Sequence, residues 1–160
     1  MARSVGAYEG SLRDIVHALK YDRRPSLARH LARRMQSAGA EVLSGAHIVV
    51  PVPLHPSRQR ARGFNQARQL AKHLGLPVAD VLVRTRKTAP QADLPASKRR
   101  ANVRGAFVVR GANLDGLTVV LVDDVSTTGA TLNACAAPLL DAGAKEVRAL
   151  TAAKAVARRP

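Results

Sequence analysis

Val119-Val120-Leu121-Val122-Asp123-Asp124-Val125-Ser126-Thr127-Thr128-Gly129-Ala130-Thr131 is the stretch that decides the fold. Val119 to Val122 is an unbroken apolar run, the pattern of a strand buried on both faces. Asp123 and Asp124 follow it, which sets two carboxylates at the strand's end, facing a ligand crevice rather than the core. A Ser/Thr/Gly loop then opens a helix expected over 129–142. Small hydroxyl residues and glycine let backbone N–H groups converge on a phosphate, and the helix dipole adds to the attraction. The carboxylates can accept hydrogen bonds from vicinal sugar hydroxyls. Taken singly, Ser-Thr-Thr is also a helix cap and Asp-Asp a polar loop. In this order, after a buried strand, they describe a ribose-phosphate site.

Outward from this stretch, strands and helices alternate. Gly143 ends the helix, and a strand is expected over 146–151. Upstream, Ile48-Val49-Val50-Pro51-Val52-Pro53 reads as a buried strand running into a proline-stiffened turn. A helix follows from Asn65 to Leu74, then strands over 81–83 and 106–109. Residues 87–104 are polar, basic and Pro-containing, and are expected to form a long loop. Near the start, Ser11 and Asp14 make a capping box ahead of Leu12, Ile15, Val16 and Leu19 at helical spacing. After Asp22-Arg23-Arg24-Pro25, Leu27, Leu31 and Met35 stripe a second helix, and Gly39 to Gly45 closes the region. The pattern predicts one domain over 1–160: an N-terminal helical segment, 1–45, and an α/β core, 46–160, whose mostly parallel sheet is flanked by helices. Such sheets bind ligands beyond the carboxyl ends of their strands.

Composition narrows the function classes. Of 160 residues 46% are hydrophobic but only 2% aromatic, so the core must be Leu, Val, Ile and Ala, with Phe64 and Phe107 read into it. The same scarcity counts against a stacking platform for single-stranded nucleic acid. A single cysteine, Cys135, excludes an internal disulfide and a Cys-rich zinc site, and reads as a small helix residue. His17 and His30 lack a metal-type neighbour at ligand spacing and read as surface or packing residues. No apolar leader opens the chain and no run is long enough to cross a bilayer, so a cytoplasmic location with no membrane partner is expected. The net charge of +15 favours anionic partners. It concentrates at Arg58, Arg60, Arg62, Arg68 and Lys72, and again over residues 84–104.

The quoted stretch resembles, at every position, the motif by which type I phosphoribosyltransferases bind 5-phosphoribosyl 1-pyrophosphate (PRPP). That resemblance implies the type I phosphoribosyltransferase fold. It implies Asp123 and Asp124 at the ribose hydroxyls, and Ser126, Thr127, Thr128, Gly129, Ala130 and Thr131 at the 5′-phosphate, needed for binding rather than folding. Val50-Pro51-Val52-Pro53-Leu54-His55-Pro56-Ser57-Arg58 with Arg60-Ala61-Arg62-Gly63-Phe64-Asn65-Gln66 resembles the ComF family of phosphoribosyltransferase-like proteins, associated with DNA uptake in competent bacteria. Tyr8-Glu9-Gly10, Leu19-Lys20-Tyr21, Gln91, Leu94, Arg99, Arg100, Asn102 and Gly105-Ala106-Phe107 resemble it too. The family resemblance implies that Pro53, Leu54, His55, Pro56 and Ser57 form a pyrophosphate turn. It also implies that 87–104 is a mobile lid supplying Lys87, Lys98, Arg99 and Arg100, and that magnesium enters through the pyrophosphate of PRPP rather than on direct protein ligands. His55 itself reads either as a phosphate contact or as a turn residue with its ring in solvent.

Two departures qualify the resemblance. Many ComF proteins begin with a four-cysteine zinc module, which this chain lacks, so no zinc is expected. Purine-salvage members carry an acid where Thr127 stands, which argues against purine-base chemistry. The expected function is transfer of a phosphoribosyl group from magnesium-bound PRPP to an unidentified acceptor, with no catalytic residue assigned. The alternative is a non-catalytic PRPP-sensing or DNA-uptake module, which the basic stretches suit equally. The oligomeric state stays open, a dimer included.

Overall fold

The computed structural model describes residues 1–21, 26–88 and 95–155. The chain runs β1 (Ala2–Ala7), α1 (Gly10–Tyr21), α2 (Ser26–Ala38), α3 (Ala40–Leu43), β2 (Ile48–Pro51), α4 (Pro56–Arg62) and α5 (Gln66–Ala71). It continues with β3 (Leu82–Arg84), α6 (Ala96–Val103), β4 (Phe107–Val109), β5 (Thr118–Ser126), α7 (Ala130–Asp141) and β6 (Glu146–Lys154).

Four strands make a parallel sheet in the order β1-β6-β5-β2. The apolar run of β5 explains its central place, because a strand with hydrophobic side chains on both faces needs cover on both. Alternation sends Val120 and Val122 into a cluster with Val16, Leu19, Leu31 and Leu70 of α1, α2 and α5. Val119 and Leu121 point the other way, to Cys135 and Leu139 of α7 and to Leu82 and Phe107. The mostly parallel α/β architecture expected from the sequence is therefore the one observed. Leu31, Leu70, Leu139 and Leu150 are buried, each contributing about 1.5–3 kcal/mol.

Several expectations need correction. The first 45 residues are not purely helical: β1 is an edge strand whose Ala2 pairs with Ala149 and Ser4 with Thr151. Its sequence, Ala-Arg-Ser-Val-Gly-Ala, has little strand propensity, and the free edge of β6 supplies what propensity does not. Residues 87–104 are not one loop, because Ala96–Val103 is helical between Pro95 at its N-cap and Gly105 at a φ of 64°. Pro90, Gln91, Asp93 and Leu94 of that stretch, like Asp22 to Pro25, lie outside the described residues. The stretch after the β2 turn is the helix α4, with Pro56 in its first turn and Gly63 at a φ of 85° closing it. β3 and β4 do not join the parallel sheet but pair antiparallel with each other, Val83 opposite Val108. Finally, β5 does not end at Val122. It runs on to Ser126, Val125 pairing with Ala153 and Ser126 with Lys154, so both aspartates stand inside a paired strand. Among the described residues no helix is long and apolar enough to cross a membrane.

Candidate functional site

The carboxyl ends of β5 and β2 open into a cavity of about 570 Å³. Four walls enclose it. Asp123 and Asp124 come from β5, and Ser126, Thr127, Gly129, Ala130 and Thr131 from the loop that opens α7. Pro53 and Leu54 follow β2. Arg58, Arg84 and Arg99 form a cationic side, and Tyr8, His17 and Lys20 come from the N-terminal segment. A larger groove, about 750 Å³, lies beside α7 over β1 and β6 and shares the loop but has no carboxylate in its lining. The chemistry expected from the sequence belongs to the smaller cavity.

The loop has the build of an anion cradle. Gly129 adopts a φ of 75°, a left-handed conformation that glycine takes without strain, and it brings no side chain to cap α7. Thr128 is exposed, and its hydroxyl accepts from the Ala130 N–H at 3.4 Å. The first turn of a twelve-residue helix thus opens on the cavity with its dipole.

Because β5 is extended through both aspartates, their side chains leave opposite faces of the sheet. Asp124 takes the α1–α5 face and is only 4% exposed. It ion-pairs with Lys20 at 3.2 Å and accepts a hydrogen bond from the Gln66 side-chain amide at 2.8 Å. It lines the cavity, as expected from the sequence, but is already held by partners from α1 and α5. Asp123 takes the α7 face, is half-buried, and accepts from the Asp124 backbone N–H at 2.8 Å. Burial, and then the adjacent Asp124 charge, push its carboxyl up to about 7. Burial pulls Lys20 down, but the charges of Asp124 and Asp123 and the hydrogen bond to Asp124 outweigh it and leave the ammonium above its ordinary value.

Second contacts hold these groups. Asn65 caps α5, its carbonyl oxygen accepting from the Ala67 and Arg68 N–H groups, while its amide donates to the Val52 carbonyl at 3.0 Å. This ties the start of α5 to the end of β2 and aims Gln66 at Asp124. The Oε1 of Gln66 is buried without a hydrogen-bond partner. On the cationic side, Arg84 is buried, lies 5.3 Å from the Phe107 ring centroid, and donates through Nη2 to the Thr88 hydroxyl. Arg58 donates to the Thr88 carbonyl at 2.8 Å, so one residue gathers two guanidinium groups. Burial, then Arg58, pulls Arg84 below its ordinary value, and its Nε has no hydrogen-bond partner among the described residues.

Of the residues singled out from the sequence, the cavity gathers Pro53, Leu54, Arg99, Asp123, Asp124, Ser126, Thr127, Gly129, Ala130 and Thr131. His55, Pro56, Ser57, Lys87, Lys98, Arg100 and Thr128 do not line it. The His55 ring is not free: its Nδ1 lies 2.8 Å from the Ser57 hydroxyl and accepts from the Ser57 N–H, capping α4. Burial, with Arg84, Lys87, Arg58 and Arg60 around it, holds that imidazole below its ordinary pKa. Cys135 is buried, its thiol pushed well up by burial and then Asp123. Sequence reasoning missed Tyr8, His17, Lys20, Gln66 and Arg84 as site residues. Lys20 carried a signal: it stands four residues after buried Val16, a cation beside an apolar helical stripe that calls for a buried counter-charge. Arg84 carried a weaker one, sharing its strand face with buried Leu82.

Comparison with known proteins agrees with this geometry. The phosphoribosyl transferase domain family matches residues 60–160. The DNA utilization protein YhgH of Salmonella typhimurium is 37% identical over 155 residues, spanning 91% of this chain and 68% of that protein. Competence protein F of Haemophilus influenzae is 32% identical over 163 residues, spanning 94% of this chain and 71% of that protein. Among solved structures, the glutamine phosphoribosylpyrophosphate amidotransferase from B. subtilis, complexed with ADP and GMP, superposes with a TM-score of 0.51 at 24% identity. That likeness is one of fold, and it covers 84% of this chain but only 30% of the enzyme's length.

Proposed function

Given that the chain belongs to the ComF family of phosphoribosyltransferase-like proteins and has the type I phosphoribosyltransferase fold, we propose that its cavity binds PRPP with magnesium and passes the phosphoribosyl group to an acceptor nucleophile. The carrying observation is the meeting of Asp123 with the Ser126–Thr131 loop at the end of one strand, in a cavity walled on another side by Arg58, Arg84 and Arg99. The loop amides and α7 dipole suit a 5′-phosphate. The carboxylates suit the ribose hydroxyls, Asp123 as the more accessible and Asp124 as the one already tied to protein. The guanidinium wall suits pyrophosphate, whose departure leaves an oxocarbenium-like anomeric carbon for the acceptor to attack.

Magnesium fits this arrangement as a guest of the ligand. Among the described residues no group of three or more His, Cys, Asp or Glu side chains could hold a metal. A hard cation that prefers oxygen ligands and keeps several waters would sit on the pyrophosphate oxygens, with Asp123 beside its water shell. The ion would supply charge neutralisation of the leaving group.

Calorimetric titration with PRPP, with and without magnesium, tests the binding, and pyrophosphate release against a nucleobase panel tests turnover. Magnesium-dependent binding is expected; no heat and no ligand protection at millimolar PRPP would remove the proposal. Binding without turnover would favour a PRPP-sensing role. A second reading, handling of DNA, rests on a specific observation: exposed Arg60, Lys98 and Arg100 stand on α4 and α6 outside the cavity, and relatives are named for DNA utilization and competence. It predicts duplex binding that weakens steeply with salt.

A further inference from the structure

The N-terminal segment reaches the site through one charged side chain, and the proposed function gives it no task. Lys20 stands near the end of α1 with its side chain 18% exposed, against 6% for Asp124. Two neighbouring carboxylates in one strand repel each other, and a single ammonium cannot pair equally with side chains that leave opposite faces of the sheet. Here it pairs at 3.2 Å with Asp124, which Gln66 also hydrogen-bonds from α5. The groups around Asp123 differ. They are Asp124 itself, Lys20, Arg84 from β3 and buried Cys135 from α7. Tyr8 and His17 from the N-terminal segment, and Arg58 and Arg99 from the cationic side, line the same cavity.

We propose that Lys20 is a positioning residue for the carboxylate pair: by ion-pairing Asp124 from α1 it fixes which of the two carries the standing negative charge, and leaves Asp123 as the group that ionises when a cationic or hydroxyl-donating ligand enters. The site then presents two unlike groups, one a fixed carboxylate, the other a carboxyl that gives up its proton to solvent as magnesium and sugar hydroxyls arrive. The direction of the Asp123 perturbation, upward through burial and the Asp124 charge, agrees with this division. An approaching magnesium ion or ribose diol favours the ionised form and draws the proton off, so Asp123 contributes to the pH dependence of ligand affinity. This role rests on the proposed PRPP site for its purpose, but the division of charge exists without ligand and is measurable without it.

The test is carboxyl-carbon NMR of aspartate-labelled protein, titrated from pH 3 to 9 without ligand, then with magnesium and PRPP. Asp123 is expected to ionise near neutrality. Lys20→Met should raise the Asp123 midpoint by about one pH unit or more, because the pair loses its cation. The pH at which magnesium–PRPP affinity is half-maximal should move with it, and Lys20→Arg should restore the parent profile. A lysine whose charge does not reach the pair would change stability but not the midpoint. The parent titration carries the test even if Lys20→Met fails to fold: an Asp123 already charged at acid pH overturns the assignment, as does an unmoved midpoint in a folded Lys20→Met. Failure of the parent to bind PRPP with the predicted ligand-free titrations intact sinks the functional proposal and not this one.

Discussion

Replacing Asp124 by Asn probes the link between the N-terminal segment and the core. The sequence alone suggested a carboxylate dispensable for folding; the structure predicts the opposite. The ammonium and carboxylate lie 3.2 Å apart with side-chain exposures of 18% and 6%. At an effective dielectric of about 20 their gross attraction is about 5 kcal/mol, much of it cancelled by desolvation of the two ions. Removing one partner of a buried pair typically costs about 3–5 kcal/mol, because the other charge is stranded. Lys20 can partly rehydrate, and an Asn carbonyl can still accept from Gln66, so Asp124→Asn should lose about 2–4 kcal/mol. Lys20→Met strands Asp124, the more buried ion, and should lose at least as much. The double variant leaves neither charge stranded and should lose less than the sum, with a coupling of about 1–3 kcal/mol. Urea unfolding followed by circular dichroism gives all four corners of the cycle, with unchanged m-values confirming a common reference. Single variants within about 0.5 kcal/mol of the parent, with strictly additive losses, would refute the reasoning.

Three further outcomes are expected. Asp123 has a folded-state pKa of about 7 against an ordinary 3.8. Between those values the folded chain keeps a proton that the unfolded chain has released, so stability falls as pH rises from about 4 to about 7. Asp123→Asn should flatten that slope and raise stability at pH 8 by about 1–3 kcal/mol, checked by urea midpoints across the range. Gly39 lies where an added Cβ would meet the Leu150 side chain at 2.5 Å and the Met35 carbonyl at 2.7 Å, so Gly39→Ala should destabilise by about 1–3 kcal/mol in thermal melts. A crystal soaked in ribose 5-phosphate should show the phosphate against the amides of residues 127–131; an anion held only at Arg60, Lys98 or Arg100 would move the site away from the loop.

What could be read from the sequence was what local chemistry dictates. The central strand and the loop that opens α7 were legible, because Val119 to Val122 has no polar alternative to burial and Ser126 to Thr131 has few uses other than a cap or an anion cradle. The stripe of α2 was legible for the same reason, Leu31 and Met35 being buried together. The rest depended on partners far along the chain. Nothing in Ala2–Ala7 announces a strand, and only pairing with β6, some 147 residues away, makes it one. Asp123 and Asp124 look like a loop pair; the continued pairing of β5 with β6 extends the backbone through them and parts their side chains. His55 read equally as a phosphate contact or a turn residue, and its cap on Ser57, two residues on, was not legible from either reading. Arg84 could not be placed because its burial is set by Phe107, on the strand that returns beside it.

The N-terminal segment is therefore part of the site rather than an attachment to it. β1 closes the edge of the sheet by pairing with β6, and the Tyr8 N–H, just past its end, donates to the Lys154 carbonyl at 2.8 Å. That bond holds the start of α1 beside the strand ends, and one helix later Lys20 arrives at Asp124. The neighbouring contact on α5 works the same way: Asn65 fixes the helix start to Val52, and Gln66 then has one direction to point. Two helices, α1 and α5, thus meet on a single carboxylate. Loosening β1 should be felt at Asp124 even though no residue of that strand touches it. A Val5→Asp substitution, placing a charge where Val5 packs against the core, should free the strand's cover and expose the Lys20–Asp124 pair to water. Amide exchange at Gln66 and Asp124 should then quicken together with that of β1. Fast exchange confined to β1, with Gln66 and Asp124 as protected as in the parent, would show that the site does not depend on the edge strand.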